Sequence, residues 1–184
     1  MPSTGLTLTG TGANNADAGD KAWTSPTNSQ ADDAANAQAL FDTGGVSQTS
    51  QYLHCTNFGF AIPAGATVVG VVVRWQKVWT GAGAARIQDH TIQLIKAGTR
   101  SGNNKADTVT NWTATPTNFD LGSSSDSWGV SLTGSDVNLS TFGVALRATR
   151  DGASGSSPAA EVDAVWINVH YTVPGGSQCY IIGA

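Results

Sequence analysis

The chain has 184 residues and a mass of 18.8 kDa, which suits one compact domain. Charged residues make up only 12%, about half the usual ~25%. The net charge of −4 comes with no basic cluster, so a polyphosphate partner such as nucleic acid is not expected. The longest apolar run, Ala66 to Val73, is interrupted by Thr67 and Gly70 and is too short to cross a bilayer, so no membrane partner is expected.

Met1-Pro2-Ser3-Thr4 has neither a basic nor an apolar stretch and does not read as a secretory signal. In residues 1–20 the large apolar residues beyond Met1 are Leu6 and Leu8, whose alternation with Thr7 and Thr9 predicts a short strand or an extended arm. Trp23 to Phe41 carries several alanines but also Pro26, Asn28 and Asp32-Asp33, so it reads as irregular, with a strand starting near Ala39. Phe58 to Ile62 alternates and ends in the turn Pro63-Ala64-Gly65-Ala66. The strongest strand signal follows, with Val69, Val71, Val73 and Trp75 on one side and Arg74 and Gln76 on the other. Further strands are expected over Thr91 to Lys96, Asn118 to Leu121 and Phe142 to Arg147. In a last one, Val165 to Tyr171, Val165, Ile167, Val169 and Tyr171 face inward and Trp166, Asn168 and His170 outward.

Turn-rich stretches separate these strands, and no segment has the period of a long amphipathic helix. A parallel sheet needs crossover helices, so the expectation is all-β: an antiparallel, jelly-roll-like sandwich. Its body spans residues 21–172, with an N-terminal arm (1–20) and a C-terminal tail (173–184). The tail closes on Tyr180, Ile181 and Ile182 behind a Gly-Gly hinge. Together with Leu6 and Leu8, these are the residues expected at a subunit interface.

No catalytic, cofactor or metal site is expected. His54, His90 and His170 are not accompanied by a nucleophile elbow, so an enzyme is not expected. Adjacent His54 and Cys55 point to opposite faces of a strand and cannot share a zinc ion. Asp32-Asp33 and Asp126 lack the regular spacing of a calcium loop. Cys55, in an apolar-aromatic stretch, reads as a buried free thiol in preference to a disulfide with Cys179. Of six tryptophans, Trp23 and Trp75 read as core, whereas Trp79, Trp112, Trp128 and Trp166 have turn residues or an outward register nearby and are candidates for exposure. Exposed rings on a sandwich serve subunit contact or sugar stacking.

Several runs occur in order: Trp23-Thr24-Ser25-Pro26, Asn57-Phe58-Gly59-Phe60, Ile62-Pro63-Ala64-Gly65-Ala66-Thr67, Phe142-Gly143-Val144 and Ile167-Asn168-Val169-His170-Tyr171. Over roughly Trp23 to Thr172 the chain resembles a family of β-sandwich structural proteins of tailed bacteriophages. The resemblance implies a virion protein without catalytic positions: a capsid decoration (cement) protein on the shell surface, or a tail part. The expected partners are the major capsid protein or another virion protein, and sister copies in a homotrimer. The alternative is a carbohydrate-binding tail-fibre or adhesin module, whose partner is a glycan.

Overall fold

The computed structural model describes residues 1–44, 46–82, 86–152 and 157–174. In chain order its strands are β1 (Thr7–Leu8), β2 (Thr11–Asn15), β3 (Trp23–Thr24), β4 (Ala37–Leu40), β5 (Gln48–Thr49) and β6 (Tyr52–Thr56). They continue with β7 (Thr67–Thr80), β8 (Arg86–Lys96), β9 (Thr99–Ser101), β10 (Thr117–Gly122), β11 (Gly143–Asp151) and β12 (Ala159–Thr172). Helical structure is limited to a 3-10 turn at Pro26–Ser29 and one turn, α1 (Gly134–Val137), closed by a capping box between Thr133 and Asp136.

These strands form two antiparallel sheets. The first runs β10-β7-β12-β4-β3, with β1 also on the edge of β12; the second runs β2-β6-β11-β8-β9, with β5 beside β11. Trp75, Leu53, Leu94, Phe142, Leu146 and Ile167 fill the space between them and are fully buried. The all-β sandwich read from the sequence is the observed fold.

The register of the long strands carries two irregularities. Val162 pairs with Lys77 but Val165 pairs with Trp75, so β12 holds an extra residue between them. Its inward side therefore moves from Ala160 and Val162 to Val165, Ile167 and Val169. The second shift extrudes Val69 from β7, because His170 faces Gly70 while Tyr171 faces Val68. Val68 is thereby turned inward and Val69 is half-buried, which corrects the expectation that Val69 shares a face with Val71.

Of the two readings of the N-terminal segment, a short strand or an extended arm, the segment takes the strand at Thr7–Leu8: β1 and β2 belong to this chain's own sheets. Tyr171 N–H donates to Pro2 O at 3.2 Å and Thr4 N–H to Val169 O at 3.1 Å, after which β1 pairs with β12. The chain then crosses to the second sheet through buried Thr9, whose Oγ1 donates to Thr56 O at 2.7 Å, and β2 lies along β6. A segment with few large side chains is held here by backbone hydrogen bonds to two strand edges that need pairing.

The Asn-Phe-Gly-Phe-x-Ile-Pro run seals one end of the sandwich. Phe58 and Phe60 stack with centroids 5.7 Å apart, and Phe60 also meets Phe142. Asn138 clamps Ile62 from both sides: its Oδ1 accepts from Ile62 N–H at 3.0 Å and its Nδ2 donates to Ile62 O at 2.7 Å. Pro63 O then accepts from Ala66 N–H, closing the expected turn.

Candidate functional site

The outer face of the first sheet holds the interface candidates that the structure describes. Thr7 lies opposite Ile167, which faces the core, so their neighbours Leu8 and Trp166 face outward as a direct cross-strand pair. Val72 lies on the next strand opposite Asn168, diagonal to Trp166. Leu8, Val72 and Trp166 are half-buried, and Leu6 is 43% exposed. The strip is bordered by a bidentate ion pair, in which Arg74 Nε and Nη2 each reach an Asp120 oxygen at 2.7 Å. Tyr180, Ile181, Ile182 and Cys179 lie outside the described residues.

Two of the four tryptophans expected at the surface are core residues. Trp128 sits at φ 57°, a left-handed turn that swings its ring inward, where it is fully buried and its Nε1 donates to Val71 O at 2.9 Å. Gly122 makes room for it: it adopts φ +83°, and a Cβ there would come within 2.6 Å of the Trp128 indole nitrogen. Trp112 is 2% exposed, set edge-on against Trp75 with centroids 5.0 Å apart. Trp79 is partly buried against the core, so Trp166 remains as the ring of the outer face.

The most unusual chemistry is internal. Period two in β7 continues past Trp75 and turns Lys77 into the sandwich, while in β8 the same period brings Asp89 in after Ile87. Lys77 Nζ donates to Asp89 Oδ1 at 2.6 Å, and the two side chains are 4% and 1% exposed. Phe119, Trp75 and Trp112 surround the amine, with centroids 4.2, 4.5 and 5.1 Å away. Trp112 Nε1 donates to Asp89 Oδ1 at 2.7 Å, and Asp107 N–H donates to Oδ2 at 3.2 Å. Burial pulls the Lys77 pKa down, and the carboxylates of Asp89 and Asp107 oppose that shift. The signal was available in the sequence, since Lys77 continues the Val71-Val73-Trp75 series, but a lysine reads by default as solvated.

Other titratable residues are tied into the packing and the ion pairs of the sandwich. Cys55 is a free, fully buried thiol beside Ser29 Oγ, and burial pushes its pKa up to about 12. Asp163, for which burial is the main cause of a raised pKa, accepts from the backbone N–H of Asp33 and Ala34. Asp126 pairs with Lys105 at 2.8 Å. Among the described residues no group of three His, Cys, Asp or Glu is placed to hold a metal ion, and no helix is long and apolar enough to cross a membrane.

His54 and His90 both have pKa values lowered from the ordinary 6.5, first by burial and then by Arg100 and Arg147 respectively; Asp17 partly opposes the shift at His54. The unfolded chain takes up these protons at higher pH than the folded one. Stability is therefore expected to fall as pH drops below about 6.5 toward the folded values. Urea unfolding at about pH 7.5 and about pH 5.5 should show the loss, and replacing both histidines by Asn should flatten it; a flat profile in the unmodified protein contradicts the assignment.

The sequence matches no protein-family profile and no curated protein. Among solved structures it is similar to a chain in the structure of infectious bursal disease virus Gt strain, with a TM-score of 0.40 and 12% identity over 91% of this chain and 34% of that one. A chain in the Gx strain structure gives a TM-score of 0.34 and 12% identity over 77% and 30%. This protein thus spans about a third of the length of those chains, and likenesses of this depth leave function to be argued from its own residues.

Proposed function

We propose that the chain is a virion structural protein of a tailed bacteriophage, a capsid decoration (cement) protein that works by contact and not by catalysis. The observation that carries this reading is the outward apolar strip of Leu8, Val72 and Trp166, with exposed Leu6 two residues from Leu8, on the first sheet of a weakly charged chain. Scattered surface leucines are ordinary, whereas contiguous apolar side chains on a fixed face are the form in which proteins present association sites. A shell repeats its binding sites, so each contact can be modest while the array binds firmly. With charged residues at only 12%, copies crowded on a shell repel one another little.

In this reading the partners are the major capsid protein and sister copies in a homotrimer, with the Tyr180-Ile181-Ile182 segment contributing to the inter-subunit contact. Leu6→Asp and Leu8→Asp, singly and together, test the strip, and removal of residues 173–184 tests the tail. Each is expected to lower the sedimentation coefficient or the capsid occupancy while the sandwich stays folded. Unchanged sedimentation and unchanged occupancy in all of them would overturn the reading. The carbohydrate-binding alternative keeps Trp166 on the outer face but not Trp112 or Trp128. A saturable Trp fluorescence change on titration with glycans would favour that alternative.

A further inference from the structure

We propose that Lys77 and Asp89 condense into an intramolecular isopeptide bond that joins the two sheets covalently. A lysine amine buried among apolar groups is an activated nucleophile, and a carboxyl group held at hydrogen-bond distance is its electrophile. Here Nζ lies 2.6 Å from Asp89 Oδ1, with both side chains withdrawn from solvent. Donors sit on both oxygens of that carboxyl group, the Trp112 indole N–H on Oδ1 and the Asp107 backbone N–H on Oδ2. They are placed where negative charge grows when an amine adds to Cγ, as preorganised donors are in acyl transfer.

The state before reaction is poorly solvated. An ammonium group has three donors, yet among the described residues Nζ donates to one oxygen, that of Asp89, and the rings of Phe119, Trp75 and Trp112 surround it. Burying two charges is costly before their attraction offsets it, and an amide removes both charges. Burial also pulls the Lys77 pKa down, which favours the free amine.

The chemistry balances without a co-reactant. One proton passes from Nζ to the carboxylate across the existing hydrogen bond, giving amine and carboxylic acid. Nζ then adds to Cγ. The tetrahedral carbon expels one oxygen as hydroxide, which leaves with a second Nζ proton as water. One C–N bond forms, one C–O bond breaks, and nothing is oxidised or reduced.

Intact mass spectrometry of the denatured wild-type chain is the test. The expected mass lies one water molecule below the sequence mass. Trypsin should fail to cut after Lys77 and should release the peptide Trp75–Arg86 joined to Ile87–Lys96. Lys77→Arg should return the full sequence mass. Full sequence mass in the wild type, with Trp75–Lys77 recovered as a free peptide, would overturn the proposal. The wild-type measurement does not depend on the variant folding, and its outcome leaves the proposed capsid role untouched.

Discussion

Asp89→Ala is expected to lower the unfolding free energy by about 3–5 kcal/mol relative to a wild-type chain that carries Lys77 and Asp89 as an ion pair, because it strands Lys77 as an uncompensated buried charge; relative to a chain that carries the amide, the loss of the cross-link adds to this. The cost should come mainly from the lysine left behind. The double variant Lys77→Met, Asp89→Leu replaces both charges with apolar groups and should recover most of the stability of the ion-paired chain, though not what an amide cross-link adds, since buried pairs exchanged whole for hydrophobes are often neutral. Trp112 Nε1 and Asp107 N–H lose their acceptor in either case, so recovery should fall short of complete. Urea unfolding of wild type at its full sequence mass, of Lys77→Met, of Asp89→Leu and of the double variant measures the coupling directly. A single-variant cost below about 1 kcal/mol would mean that the pair is not sealed from water as the structure places it.

The second large effect is at Trp128. Trp128→Ala should cost about 3–5 kcal/mol, because it opens a cavity the size of an indole in a closely packed interior. Trp128→Phe keeps most of the volume but removes the donor to Val71 O, and should cost about 1–3 kcal/mol. The ranking Ala worse than Phe, read from denaturant midpoints at constant slope, checks that the ring packs in the core. Equal, near-zero costs would return Trp128 to the surface, where the sequence had placed it.

That misplacement shows where sequence reading runs out. Period two in Val71-Val73-Trp75 and in Val165-Ile167-Val169 was legible because both strands bury one face against the opposite sheet. The slips at Val69 and between Val162 and Val165 were not, since a bulge is set by how two strands share their hydrogen bonds and not by either strand alone. Trp128 stands among turn residues, and only its left-handed backbone reveals that the turn points the ring inward. Where the N-terminal residues dock was not legible for a related reason. Thr and Gly offer little to bury, but the open edges of β12 and β6 hold them by backbone bonds that composition does not display.

Of the candidate interface, Leu6 and Leu8 were legible as the large apolar residues of a polar stretch, but Val72 and Trp166 join them only through cross-strand register. Lys77 and Asp89 lay inside readable strands, and a default assumption about charged residues hid them. Low overall charge could have prompted the opposite assumption. In a chain this sparing with ions, a lysine in step with a row of valines is better read as facing the core.

The central claim is tested most directly by counting this chain in purified phage particles against the principal shell protein, using quantitative mass spectrometry with isotope-labelled peptides. A decoration role predicts a fixed ratio that follows the number of shell subunits and drops when Leu6 and Leu8 are made acidic. Absence from particles, or a handful of copies independent of shell size, would contradict it.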